Sequence, residues 1–252
     1  MITVKFKGHE REVPGCVDEL NTEQYIEYIR LVMHVAGGAI DINDFRVRFF
    51  SKLLGLRIPL TKYCEAIVDE CIPAMAEVMR GFVIGEKPPR FSFATCRNLL
   101  PEYGSHKGPG DWLNGMTWGQ FTECSILLCM LNEDNAEEVC KQIARVMYDI
   151  PADAEVDMIL TMHAPQLFGN VWQAIQSGPI EINGSALDLS IIFKATERSR
   201  PDDKTGWTGI TLEVATAGLF GNVRELEQTD FWQVLVYLYK CKFEYLHEPK
   251  AK

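Results

Sequence analysis

The chain has 252 residues, 47% of them hydrophobic and 24% charged, with a formal net charge of −10. That balance is the composition of a globular protein with enough apolar material for one large or two small cores. The acidic excess argues against nonspecific binding to nucleic acid or to anionic membrane surfaces. No run approaches the ~20 apolar residues that a membrane-spanning helix requires. The start, MITVKFKGHEREV, lacks the apolar segment of a secretion signal. None of the eight cysteines forms a CxxC pair, and several fall in apolar helical patterns, so they read as reduced thiols. The five histidines are scattered without HxxxH or HExxH spacing. Neither a metal nor a cofactor is expected.

Residues 2–14 alternate around Gly8 and predict a short hairpin. In ELNTEQYIEYIRLVM, Asn21 and Gln24 form a capping box, with Leu20 and Tyr25 as its hydrophobic staple. A helix is expected from Thr22 to about Val35, stopped by Gly37 and Gly38. A second helix follows Asp41 or Asn43 and ends at Gly55. TKYCEAIVDECIPAMAEVMRGF is helical in period, with Pro73 expected to kink or split it. RFSFAT (90–95) alternates like a strand.

GPGDWLNGMTWGQFTECSILL then joins a glycine-rich stretch to a second capped helix. Thr117 and Gln120 make the box, Met116 and Phe121 the staple. A helix from 136 ends before Pro151, and another is interrupted by Pro165. Asn183-Gly184 predicts a turn between β-prone runs, with Leu187, Leu189, Ile191 and Phe193 alternating as a strand. ERSRPDDKTG reads as an exposed polar loop, and HEPKAK as a disordered tail. WTGITLEVATAG leans to helix. The last helix, TDFWQVLVYLYKCKFEYLHE, has Thr229 as its expected cap and is apolar enough for extensive burial.

Parts of the chain recur. Pro59 and Pro151, each after Ile, have the same spacing as Pro73 and Pro165, each inside an apolar helical run. Gln24 and Gln120 stand at nearly that spacing, in the shared pattern Q-[YF]-x-E-x-x-x-L. One short gap aligns all three pairs. A tandem duplication is expected, with a period too long for the common solenoid repeats. The expected fold is mainly α with minor β. Residues 1–92 form a first module, 93–179 a related second module, and 180–252 a region of β element, loop and C-terminal helix.

Catalytic chemistry is scarcely legible. Gly108, Gly110, Gly115 and Gly119 match neither G-x-G-x-x-G nor GxxxxGK[ST]. Asp111 reads as a solvated acid, Glu137-Glu138 as charge favourable to a helix start, and Asp202-Asp203 as loop charge. A cysteine nucleophile would need a histidine such as His163 beside it. Trp112 reads either as the anchor of its loop on the following helix or as the tip of a partner-facing loop. The aromatic residues read as core or as protein-contact surface, where Trp and Tyr are enriched.

The block from Gly108 to Leu128, and GWTGITLEVATAGLFGNVRELEQTDFWQVLVYLYKCKFEYLHE, resemble phage and prophage proteins of gut Bacteroidetes. Those are encoded among tail and neck genes, as tail-assembly-chaperone-like or structural proteins. The likeness covers the second half of the chain and the first half only in style. It implies a protein that acts by protein–protein contact without catalysis or cofactor. Its partners would be other tail or neck proteins, or further copies of itself. It would work in the host cytoplasm during assembly or be built into the virion. The residues expected to contact a partner are Trp112, Leu113, Trp118, Trp207 and Phe220. The alternatives are a cellular intracellular adaptor, and an enzyme whose site lies between the two modules.

Overall fold

The computed structural model describes residues 1–6, 8–56, 63–85, 89–182, 184–194 and 205–247, with backbone alone for 63–70. Pro59, Asp202 and Asp203, and the tail after His247 lie outside these. The chain divides into two compact units, Met1–Leu100 and Pro101–Lys252. By that division residues 93–100 fall in the first unit, and the described residues from 180 onward in the second.

In the first unit, β1 (Ile2–Phe6) and β2 (His9–Val13) form the antiparallel hairpin, with Ile2 opposite Val13. Val4, Phe6 and Val13 are buried, as the alternation required. A 3-10 turn, Val17–Glu19, leads to α1 (Thr22–Ala36) and α2 (Ile42–Leu53), which begins on the carboxylate of Asp41. The Asn21 box closes in both directions: Gln24 N donates to Asn21 Oδ1 at 2.9 Å and Asn21 N to Gln24 Oε1 at 3.1 Å. The staple residues Leu20 and Tyr25 are both buried. α3 (Tyr63–Met79) passes through Pro73 without breaking.

Tyr28 is the hub of this core. Its ring lies 5.1 Å from Phe49, 5.4 Å from Phe93, 5.7 Å from Phe82 and 5.9 Å from Phe45. Its hydroxyl donates to Ser92 O at 2.7 Å, with Phe82 O nearby at 3.1 Å. Burial raises the phenol's pKa well above its ordinary value, so it stays a donor. This explains why the strand expected over 90–95 is short. Only Arg90–Phe91 (β4) pairs, with Val83–Ile84 (β3). Beyond it, the Ser92 carbonyl is bound by Tyr28 and Phe93 turns into the ring cluster.

The second unit opens with the hairpin β5 (Glu102–Tyr103) and β6 (His106–Lys107), then a 3-10 turn over Asp111–Leu113. α4 (Trp118–Met130), α5 (Ala136–Tyr148) and α6 (Met158–Ser177) follow. α6 also runs through its proline, Pro165. The lost hydrogen bond and ring clash cost ~3 kcal/mol in an isolated helix. Here α6 packs along α5 and buries Leu167, Phe168, Val171 and Ile175, which offsets it. β7 (Ile180–Ile182) and β8 (Ser185–Leu187) form the hairpin around Gly184.

Three expectations fail beyond it. Leu189–Phe193 is a 3-10 turn, not a strand, because Asp188 Oδ1 accepts from Ser190 N and turns the chain. Thr229 does not cap the last helix, α9 (Phe231–His247). Asp230 Oδ1 accepts from Trp232 N and Gln233 N, while Thr229 Oγ1 donates back to Glu225 O. Only the first turns of α9 are buried, through Phe231, Val234 and Leu235; Phe243 and Leu246 are exposed. Between them come α7 (Gly206–Thr216) and α8 (Val223–Glu227), the latter begun by an Asn222–Glu225 capping box. Among the described residues the protein is mainly α, with four two-stranded sheets.

Gln120 ties the start of α4 to the end of α5. Its Oε1 accepts from Thr117 N at 3.0 Å, closing the box that starts α4. Its Nε2 donates to Val146 O at 3.0 Å and to Asp149 Oδ1 at 3.1 Å. Val146 O is one of the carbonyls that a helix end leaves without a partner. Phe121, the next residue, sits at the centre of the core, with rings of Phe231, Trp172, Trp207, Trp118 and Phe168 within 5.7 Å. Trp118 Nε1 donates to Thr211 Oγ1 at 2.9 Å, so its indole is buried without an orphaned donor.

Gln120→Glu keeps the box acceptor but loses both donors and sets a second carboxylate beside Asp149. We expect a loss of about 1–3 kcal/mol. Gln24→Glu, whose box makes no such onward bonds, should change stability by no more than ~0.5 kcal/mol. Calorimetric unfolding of the two variants checks the contrast.

Candidate functional site

The segment between β6 and α4 is held from beneath. Gly108 N donates to Pro101 O at 2.9 Å. A Cβ on Gly108 would stand 2.5 Å from the Tyr148 ring, so only glycine fits there. Pro109, Leu113 and Met116 are buried. Gly110 N donates to Asn114 O at 2.7 Å and Asn114 N to Asp111 O at 3.1 Å, closing a tight loop.

At its tip, Trp112 and Leu113 are both left-handed, with φ of 57° and 58°. For non-glycine residues this costs roughly 1–2 kcal/mol each. Leu113 is 0% exposed, in a turn that packs against α6. The same inversion leaves Trp112 39% exposed. Its carbonyl accepts from Trp232 Nε1 at 3.1 Å, which fixes the tip to the first turn of α9. Leu113, not Trp112, is therefore the anchor.

A groove of about 840 Å³ opens alongside. One wall is Asp111, Trp112 and Asn114. The second is the whole of β7, with Ile180, Glu181 and Ile182. The third is the start of α9, with Asp230, Trp232, Gln233 and Val236. The α9 wall is positioned by a short antiparallel crossing with the entry of α4: Trp118 N donates to Thr229 O at 2.7 Å and Phe231 N to Met116 O at 3.2 Å.

Of the residues expected at a partner surface, Trp112 is thus the exposed one. Leu113 and Trp118 are fully buried and form core. Trp207 is half-buried in the Phe121 cluster, with one side on a second hollow of about 660 Å³ between α4, α7 and α8. Phe220 is half-buried with its ring 5.6 Å from Tyr237. Glu181, Asp230 and Trp232 were not foreseen as site residues. The Asn-Gly turn located the β7 hairpin, but nothing local in the sequence places it beside the Trp112 loop.

Burial acts on three of the thiols and on one histidine. Burial raises the thiol pKa of Cys124, Cys96 and Cys140, which keeps them protonated. Burial pushes His163 down to about 3, so it is a neutral imidazole at ordinary pH, packed edge-on to Tyr148. Among the described residues no group of three or more His, Cys, Asp or Glu is placed to hold a metal ion, and no helix is long and apolar enough to cross a membrane.

Trp112→Ala should leave the melting temperature nearly unchanged, while Leu113→Ala costs about 2–5 kcal/mol, as a buried leucine deletion does. Thermal unfolding of both checks which residue anchors the loop. His163 gives a pH test. Its folded pKa lies below the unfolded value near 6.5, so the folded state binds fewer protons between them. Stability is fully present above about pH 6.5 and falls toward pH 3, at up to ~1.4 kcal/mol per unit. Urea titrations across that range should show a shallower acid loss in His163→Leu than in the parent. Comparison with known protein families, curated proteins and solved structures finds no match for this chain.

Proposed function

We propose that the protein works by protein–protein contact, as a tail or neck component or assembly factor of a phage, with the Trp112 groove as its contact surface. The observation that carries the contact reading is the Trp112 loop itself. A large indole is held at the surface on a strained backbone while the adjacent Leu113 is buried. Burial of Leu113 accounts for its own inversion, and the inversion at Trp112, which holds an indole out in the solvent, is strain of the kind found at functional sites. Aromatic side chains, Trp and Tyr above all, are the usual energetic anchors of protein interfaces. The phage assignment is supported by the resemblance of the second half of the chain to tail and neck proteins.

The tandem duplication is supported by the order of elements. Hairpin, 3-10 turn, three helices and a further strand pair occur in that order in each unit, with a proline inside the third helix both times. In the second unit this is followed by α7, α8 and α9, which supply the α9 wall of the groove.

Co-expression with the tail and neck genes of the same genome tests the function. A complex with one of their products should elute together on size exclusion, and Trp112→Ala should dissociate it without unfolding the chain. Mass spectrometry of purified particles then separates a virion component from a transient assembly factor. A chain that stays monomeric and binds none of those products would overturn the proposal.

A further inference from the structure

Three features of the groove select its occupant. Its charged side chains are all acidic: Asp111, Glu181 and Asp230, with no Lys or Arg among its lining residues. Asp230 uses one oxygen on the backbone N–H groups of α9, which leaves its charge intact. Two indoles, Trp112 and Trp232, stand among these carboxylates. A cation is attracted both by the carboxylates and by the faces of the rings, whereas a phosphate or a carboxylate would be repelled.

The third feature is β7. One of its edges pairs with β8, Ile180 opposite Leu187 through Ile182 opposite Ser185. Among the described residues no strand pairs with its other edge, although β7 lines the groove along its length. Glu181 is exposed while Ile180 and Ile182 are half-buried, the alternation of a strand with one wet face. An open edge of this kind accepts an extended segment through main-chain hydrogen bonds, with alternate side chains read by flanking pockets.

Resting on the reading that the protein acts by protein contact, we propose that the groove docks an extended, basic segment of a partner protein. The segment adds along the open edge of β7 and lays a Lys or Arg side chain against Trp112 and Trp232, close to Asp111, Glu181 and Asp230. The chain's formal charge of −10 steers such a segment toward it over the longer range.

The test uses the full chain and a fluorescein-labelled peptide of alternating Lys and Val, about ten residues long, the upper end of ordinary strand length. Binding is followed by anisotropy at low salt. The Lys–Val peptide should bind at least about tenfold more tightly than its Glu–Val counterpart, and than a Lys–Val peptide N-methylated at alternate backbone nitrogens. Glu181→Lys and Trp112→Ala should each weaken binding by about tenfold with unchanged thermal unfolding. Glu133→Lys, the same charge change at an exposed turn between α4 and α5, should not.

Equal binding of the Lys–Val and Glu–Val peptides would overturn the proposal. So would equal losses in Glu181→Lys and Glu133→Lys, since the effect would then be net charge alone. Undiminished binding of the N-methylated peptide would overturn strand addition. A chain that assembles with tail proteins yet fails these peptide tests keeps the function and loses this site. One that passes them but assembles with no tail protein keeps the site and loses the phage assignment.

Discussion

The second unit depends on one side chain at the first turn of one helix. Gln120 closes the capping box of α4, satisfies a terminal carbonyl of α5 and binds the carboxylate of Asp149, the left-handed residue that ends α5. An amide alone can do this, because it presents an acceptor and two donors from one planar group. With the helix start set, Phe121 must enter the core at the fourth position, where the aromatic rings of α4, α6, α7 and α9 converge. The backbone just before the box then crosses that before α9, and the crossing sets the far wall of the groove. A local hydrogen-bond motif thus propagates through packing to a surface.

The first unit uses the same device with a different emphasis. Its box, at Asn21 and Gln24, stays local, and the hub of the core is Tyr28 one turn later. Tyr28 adds a hydroxyl to the ring packing, and that hydroxyl decides where a β-ladder stops. Polar atoms inside an aromatic cluster act here as position markers. Apolar contact alone would tolerate several arrangements of similar volume, whereas a buried donor tolerates few.

What was legible in the sequence follows from this distinction. Helix starts at Asn21 and Thr117 could be read because cap, box and staple lie within five residues of one another and obey local geometry. The β7 hairpin could be read from its Asn-Gly turn for the same reason. The start of α9 could not. Thr229 and Asp230 are both good caps, and the choice was made by Trp118 N, far away in sequence, which takes the Thr229 carbonyl. The alternation of Leu187 to Phe193 was genuine, but Asp188 and the packing of that segment between α6 and α9 turned it into a 3-10 helix. At the site, the sequence drew attention to the Gly108–Gly115 segment but could not divide its roles, since Leu113 is buried and Trp112 exposed. Which of two adjacent apolar residues points inward depends on two positive φ angles that no local pattern announces.

Those two angles also bear on the thermodynamics of recognition. A loop residue that contacts a partner usually surrenders backbone freedom on binding, at a cost of roughly 1–2 kcal/mol each. Trp112 has already surrendered it. Buried Leu113, the Gly110–Asn114 bond and the indole of Trp232 hold its backbone in one conformation during folding. A partner docking as proposed would meet at this indole an anchor whose backbone is already fixed, and the gain from that stiffness would show in how long the complex lasts more than in how fast it forms.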